Sequence, residues 1–344
     1  MKSKLLLLLF FILAAVSCEH KELGEDNCGG DKAIKVVIHW DDPDTQACSM
    51  RINLFSQTSG VTDYGRDNVP SEGVKYIYLN EGTCHRPFCY DYNASDIYFR
   101  NELEMEAFEA YFSGASRATY DTYATPVAEE TTVSAPSGTA FYAHAWENTF
   151  DVIFANGEDE ITLDFYPQNI LRQFTYRINN VKGVDNIRDS RGAISGMAAA
   201  FNFSTNSSTD VRSTLLFGNV RTGHDIEKGY GFIEGEFYTF APLAPYQNRF
   251  TMELYSTASK YYNSYWNVSD QVEESMTDRP AKLARDGYDI LIDNNPDGNG
   301  NDGDNGGGLP EVDPTDPNNP GSGSGNGFEI GVGDWGDEVI VELK

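Results

Sequence analysis

The chain has 344 residues and carries 53 acidic against 25 basic side chains, a formal net charge of −28. Such a surface repels a phosphate backbone, which argues against nucleic acid as a partner. The length suits two domains at roughly 100–200 residues each, and 20 tyrosines with 20 phenylalanines favour strands over a helical bundle.

Lys2 and Lys4 precede an apolar run from Leu5 to Val16, shorter than the ~20 residues of a membrane-spanning helix. A basic start, a short apolar core and small residues before a cut read as an export signal. Ala15-Val16-Ser17-Cys18 has the form of a lipobox, so residues 1–17 are expected to be removed and Cys18 to carry lipid. Several acyl chains would then hold the protein on a membrane. Loss of Lys2 and Lys4 leaves the mature chain near −30. Residues 18–31 are polar and acidic with scattered glycines, the composition of a tether.

Beyond Cys18 four cysteines remain: Cys28, Cys48, Cys84 and Cys89. An even number in an exported chain points to at least one disulfide, with three connectivities open. Cys84 and Cys89 bracket Arg86-Pro87 and are the first candidates for a pair. No Cys-x-x-Cys occurs and the histidines at 20, 39, 85, 144 and 224 are scattered, so no metal and no cofactor are expected.

Residues 32–166 read as a first domain. "AIKVVIHW" alternates, with Ile34, Val36, Ile38 and Trp40 on one face and Lys35 and His39 on the other, which is the period of a half-buried strand. "CSMRINLF" repeats it with Met50, Ile52 and Leu54, and "VKYIYLN" does so before a turn at Glu81-Gly82. In "NELEMEAFEAYF" the apolar residues Leu103, Ala107, Phe108, Tyr111 and Phe112 recur at three and four. That spacing predicts a short amphipathic helix with Glu102, Glu104, Glu106 and Glu109 on its wet face. "TAFYAHAWE" and "EITLDFY" are further strands, and the boundary is placed near Tyr166-Pro167-Gln168.

A second domain, residues 167–294, holds "RQFTYRIN", "AAAFNFS", "RFTMELYST" and "YDILID". Alternating stretches separated by turn-rich gaps are the pattern of antiparallel sandwiches. Residues 295–327 are rich in Asp, Asn, Gly and Pro and read as a mobile linker. Counted from Asp297, the twelfth position is Gly308, where a calcium hand requires glutamate. Residues 328–344 recover strand character, with Val339, Val341 and Leu343 on one face. Such a strand needs a sheet edge, its own or a neighbour's. No repeat of fixed period is visible.

No His-Glu-x-x-His, Gly-x-Ser-x-Gly or phosphate-cradling loop occurs, so no catalytic residue is assigned and a non-enzymatic protein is expected. His39 and His144 read as structural or surface histidines within strands.

"SCEHKEL", "VVIHW" and "FCYDYNASDIYFRNELEMEAFEAYF" resemble the fimbrillin-like lipoproteins of Bacteroidales, in a domain-of-unknown-function branch close to the anchoring subunits of minor fimbriae. The shared features are the lipidated cysteine Cys18, the tether Glu19 to Leu23, the first strand ending at Trp40-Asp41, the Cys89-Tyr90-Asp91-Tyr92-Asn93 motif and the stretch Ile97-Tyr98-Phe99-Arg100. The resemblance implies two transthyretin-like Greek-key sandwiches, an outer-membrane location at the cell surface, and assembly with other fimbrial subunits. In that assembly a terminal strand completes a neighbour's sheet, and the structure presents itself to a host or bacterial surface ligand. Residues 328–343 are the candidate donor strand, through Val339, Val341 and Leu343. The alternative is a glycan-binding surface lipoprotein of a polysaccharide-uptake system, with Trp146 or Trp266 stacking on sugars.

Overall fold

The computed structural model describes residues 31–41, 47, 49–58, 64–70, 73–115, 130–155, 158, 160–218, 220–277, 285–295 and 308–313. Period-two burial builds the first layer. In β1 (Asp31–Ile38), Ile34, Val36 and Ile38 turn inward, and in β2 (Ser49–Ser56), Met50, Ile52 and Leu54 do the same. There follow β3 (Tyr64–Pro70), β4 (Val74–Asn80), β5 (Cys84–Tyr90), β6 (Ile97–Arg100), β7 (Glu109–Phe112), β8 (Thr131–Ser134), β9 (Tyr142–Ala145), β10 (Phe150–Asp151), β11 (Glu160–Phe165) and β12 (Gln168–Asn169). One sheet has the order β11-β1-β4 and the facing sheet β12-β9-β5-β2-β3, with β10 beside β5. Ile34 pairs with Ile161 across the parallel β1–β11 ladder and with Ile77 across the antiparallel β1–β4 ladder. All three residues contribute to the first core, together with Ile52, Leu163 and Phe165.

The second sandwich is formed by β13 (Arg172–Val181), β14 (Ile187–Ala198), β15 (Ala200–Asn202), β16 (Ser207–Ser208), β17 (Arg212–Phe217), β18 (Val220–Asp225), β19 (Tyr230–Thr239), β20 (Arg249–Ser256), β21 (Tyr261–Asn267), the helix α1 (Ser269–Thr277) and β22 (Ile290–Asp293). β15 and β16 leave it to join a small sheet, β16-β15-β7-β6. The two facing sheets are β18-β19-β13-β22 and β21-β20-β14-β17-β8. Within them lies the topology of the first sandwich. The run β22-β13-β19 matches β11-β1-β4, and β21-β20-β14-β17 matches β9-β5-β2-β3. The sense of each pair also matches, parallel at β1–β11 and β13–β22 and antiparallel elsewhere. The sequence hides this duplication because it is one of strand order, with no residue period to carry it.

Two strands are additional in the second copy. β18 extends one sheet beyond β19, and β8, contributed by the first half of the chain, extends the other beyond β17 in parallel, from Thr131 opposite Ser213 to Ser134 opposite Leu216. The β7–β15 and β8–β17 ladders therefore both cross residue 166. An aromatic core follows the same route: Phe108 stacks on Phe203 at 4.3 Å between ring centroids, and Phe112 on Phe240 at 4.2 Å. It runs from Phe88 and Tyr90 on β5 into the second sandwich without interruption.

The helix expected at 102–112 is absent. A single 3-10 turn, Met105–Ala107, is followed by the strand β7, in which Ala110 and Phe112 are buried. The turn shifts the phase of the apolar residues and so imitates helical spacing. Its carboxylates are tied down: Glu102 accepts from Arg66 at 2.5 Å and from the Tyr90 hydroxyl at 2.9 Å, and Glu106 accepts from Ser204 at 2.9 Å. Among the described residues the α-helix is α1 instead. Nor is the linker from 295 to 327 free throughout, because residues 308–313 are docked on the second sandwich with Leu309 and Val312 fully buried. No helix among the described residues is long and apolar enough to cross a membrane.

Candidate docking edge

Among the described residues β4 pairs with β1 alone and β3 with β2 alone. Between these two edges the first sandwich opens into a groove of about 340 Å³, lined on one side by Leu54, Gly65 and Asp67 and on the other by Ile77, Tyr78 and Leu79. Leu54 and Ile77 are buried and form an apolar floor. Lys75 reaches over it from β4 to form an ion pair with Asp67, and its ammonium also donates to the Asn68 carbonyl at 3.0 Å. An inward charge of this kind blunts an edge against chance pairing. Because the pair is partly exposed it contributes no more than about 1 kcal/mol, so an incoming strand can displace it.

On the solvent side of β4, Val74, Tyr76 and Tyr78 are 46, 47 and 67% exposed, the two tyrosines also bordering the groove. The Tyr76 hydroxyl is raised above its usual pKa by a hydrogen bond to Glu160 and by that carboxylate's charge. At the far end of the same sheet His39 Nε2 lies 2.7 Å from Asp164 Oδ1, and its ring stacks on Tyr166 at 4.7 Å. The sequence reading missed these tyrosines as a surface. Their signal is that both parities of "VKYIYLN" are apolar, which is one face more than a half-buried strand requires.

Cys84 and Cys89 are both free thiols. Their expected pairing fails because both lie in β5, five residues apart, and side chains an odd number apart leave a strand on opposite faces. Cys89 is buried, and burial together with the charge of Asp91 drives its thiol pKa up. At Cys84 a hydrogen bond from Thr149 pulls the pKa down, but Asp151 and burial outweigh it. Cys18, Cys28, Cys48, Val339, Val341 and Leu343 lie outside the described residues, as do residues 297–307. Trp266 is buried against Phe250, and Trp146 packs edge-on to Phe150 and Phe165 while its indole donates to the Asp164 carbonyl at 3.2 Å. Buried in this way, Trp266 is not the exposed sugar platform anticipated for it. His144 accepts from the Tyr166 backbone N–H at 3.3 Å, and burial lowers its pKa. Among the described residues no three His, Cys, Asp or Glu side chains converge as metal ligands.

A duplicated β-sandwich, joined by a shared aromatic core and opened along one edge, defines a class of strand-built, two-sandwich proteins. The chain belongs to the family described as Domain of unknown function (DUF5119), whose model matches residues 17–218. No curated protein matches it. Among solved structures it is similar to a "putative adhesin" from Bacteroides ovatus, at 13% identity over 74% of this chain and 88% of that one, with a TM-score of 0.58. At that identity the likeness is one of fold. Also similar are a second Bacteroides ovatus "putative adhesin" (9% identity, 76 and 88% covered, TM-score 0.49) and the fimbrial anchor protein Mfa2 from Porphyromonas gingivalis (7%, 72 and 86%, 0.46).

Proposed function

We propose that this protein is a cell-surface lipoprotein, held on the outer membrane through Cys18, that anchors or builds a fimbria-like adhesive structure by strand addition and performs no catalysis. The observation that carries this reading is the difference between the two sandwiches. In the second, the edges of β19 and β17 are extended by β18 and β8, the latter a strand supplied from a distant part of the chain. The equivalent edges of the first, β4 and β3, flank an apolar groove. A strand with alternate apolar side chains fits that groove, main-chain bonds giving affinity and alternate side chains giving register. The segment 328–343, with Val339, Val341 and Leu343, has that pattern and would serve as the donor to a neighbour. The names of the structural neighbours agree with an adhesive role.

The test is a set of three variants in the native organism. Tyr76→Lys with Tyr78→Lys places charges on the accepting edge without touching the core, truncation after Gly325 removes the donor, and Cys18→Ala removes the lipid. The first two are expected to lose co-purification with surface fibres, and the third to lose fatty-acid labelling and shift to soluble fractions. If all three still assemble at the cell surface, the reading is wrong.

The exposed tyrosines favour a second reading, a glycan platform on the same sheet. Binding of soluble polysaccharide that is lost in Tyr78→Ala, with fibre assembly intact, would select it.

A further inference from the structure

The docked segment 308–313 sits in a receptor built for it. Asn294, just beyond β22, meets Leu309 on both backbone groups: its amide accepts from the Leu309 N–H at 2.6 Å and donates to the Leu309 carbonyl at 3.0 Å. The Val312 N–H donates to the Lys182 carbonyl at 3.1 Å, and Asn186 donates to the Val312 carbonyl at 2.9 Å. The Tyr262 hydroxyl lies 3.3 Å from both the N–H and the carbonyl of Asp313. Leu309 and Val312 are fully buried. Gly183, at φ +74°, lies so close that a Cβ there would fall 2.2 Å from the Val312 carbonyl. Gly308, at φ +84°, turns the chain into the site.

The contacts are dense, yet they join residues 309–313 to a site that the chain left at Asn295. In the sequence, eighteen residues, 296 to 313, separate Asn295 from the far end of the clasp. Residues 314–344 follow Asp313 in the sequence. A pull on that tail arrives first at the clasp, whose bonds are loaded one after another from Asp313 backwards. Only after the clasp opens does it reach β22, which is held to β13 along a four-residue parallel ladder loaded along its length.

We infer that residues 309–313 form a sacrificial clasp, which opens under tension on the C-terminal tail and releases stored chain before the second sandwich is strained. Its use in the organism rests on the strand-addition reading, since a captured tail is what would carry load. The clasp itself does not depend on that reading. Opening it frees eighteen residues, roughly 60–65 Å of contour at full extension, less the short folded span between Asn295 and Asp313. Re-docking resets it, because each contact is local and non-covalent.

The experiment is single-molecule pulling on the mature full-length chain, with handles at its two ends. The expected trace has an early, low-force step of contour length below about 60 Å, reversible on relaxation, before either sandwich unfolds. Leu309→Asp with Val312→Asp should remove that step and leave the later ones in place. Should this pair misfold, inserting ten Gly/Ser residues after Gly300 leaves the clasp untouched and should lengthen the step by about 35 Å. An early step of unchanged length in the insertion variant, or none in the wild type, overturns the inference. Loss of fibre assembly in the edge variants with the early step retained would count against strand addition alone.

Discussion

Gln271 on α1 holds Leu291 on β22 as a neighbouring strand would: its amide nitrogen donates to the Leu291 carbonyl at 3.0 Å, and its amide oxygen accepts from the Leu291 N–H at 2.8 Å. A side chain thus caps the outer edge of a short parallel strand, the kind of edge that otherwise invites pairing. Gln271→Leu keeps the volume and removes both bonds. It is expected to cost about 1–3 kcal/mol, the range for leaving buried polar partners unmet, and to raise self-association. Urea unfolding and size-exclusion chromatography check both, and an unchanged midpoint would refute the capping role.

The thiols offer a second test. Alkylation of the folded protein at pH 8 should spare Cys89, whose thiolate is disfavoured by burial and by Asp91, and should label Cys84 only slowly. Denaturant should make both fully reactive. Rapid labelling of Cys89 in the native state, or a mass showing Cys84 joined to another cysteine, contradicts this arrangement.

His144 gives a pH dependence whose sign is fixed. Burial places its folded-state pKa below the ordinary 6.5, so the unfolded chain binds the proton more readily. Its share of stability is therefore whole above about pH 6.5, declines as pH falls through 6.5 towards the folded-state value, and levels off below that. Urea midpoints between pH 7.5 and 5 should fall more steeply for the wild type than for His144→Gln. Parallel curves would mean that the imidazole titrates no differently on folding.

Phe203 touches Phe88, Tyr90, Phe108 and Phe141 and has no exposed surface. Phe203→Ala should cost about 3–5 kcal/mol. Because this ring lies between the two sandwiches, the loss is expected as a downward shift of a single calorimetric transition. Two separate transitions in the variant would show that the sandwiches unfold independently.

Where burial falls mainly on one face, the strands were legible: β1, β11 and β13 alternate in the sequence as they do in the fold. β2 and β20 were legible as well: though buried on both faces, they still alternate in the sequence because polar Asn53, Thr251 and Glu253 are among their buried residues. β14 and β19 were not. "IRDSRGAISGMA" is buried on both faces along its second half, and in "YGFIEGEFYT" burial alternates but two of the inward positions are Gly231 and Gly235, so in both the period-two signal is diluted. α1 escaped notice because "SDQVEESMT" buries only Val272 and Ser275. The clasp was invisible for a related reason: Leu309 and Val312 are two apolar residues in a polar tract, too few to form a period. Of the candidate site, the apolar alternation of β4 could be read directly. Its position at an open edge could not, because an edge is defined by what fails to pair with it.

The parallel ladder between β8 and β17 places the buried Glu130 carboxylate on the Thr214 hydroxyl at 2.8 Å, 84 residues further along. On the ribosome β8 must therefore emerge, and the whole β9 to β16 region be made, before its partner exists. At ~5–20 residues per second, that leaves β8 waiting several seconds with its hydrogen-bonding edge unmatched. A gene cut at the visual midpoint between the sandwiches would make the wait permanent: the C-terminal piece would lack the strand that borders β17, and the N-terminal piece would carry it without a sheet to join. The natural unit of synthesis, secretion and recombinant expression is the entire two-sandwich body.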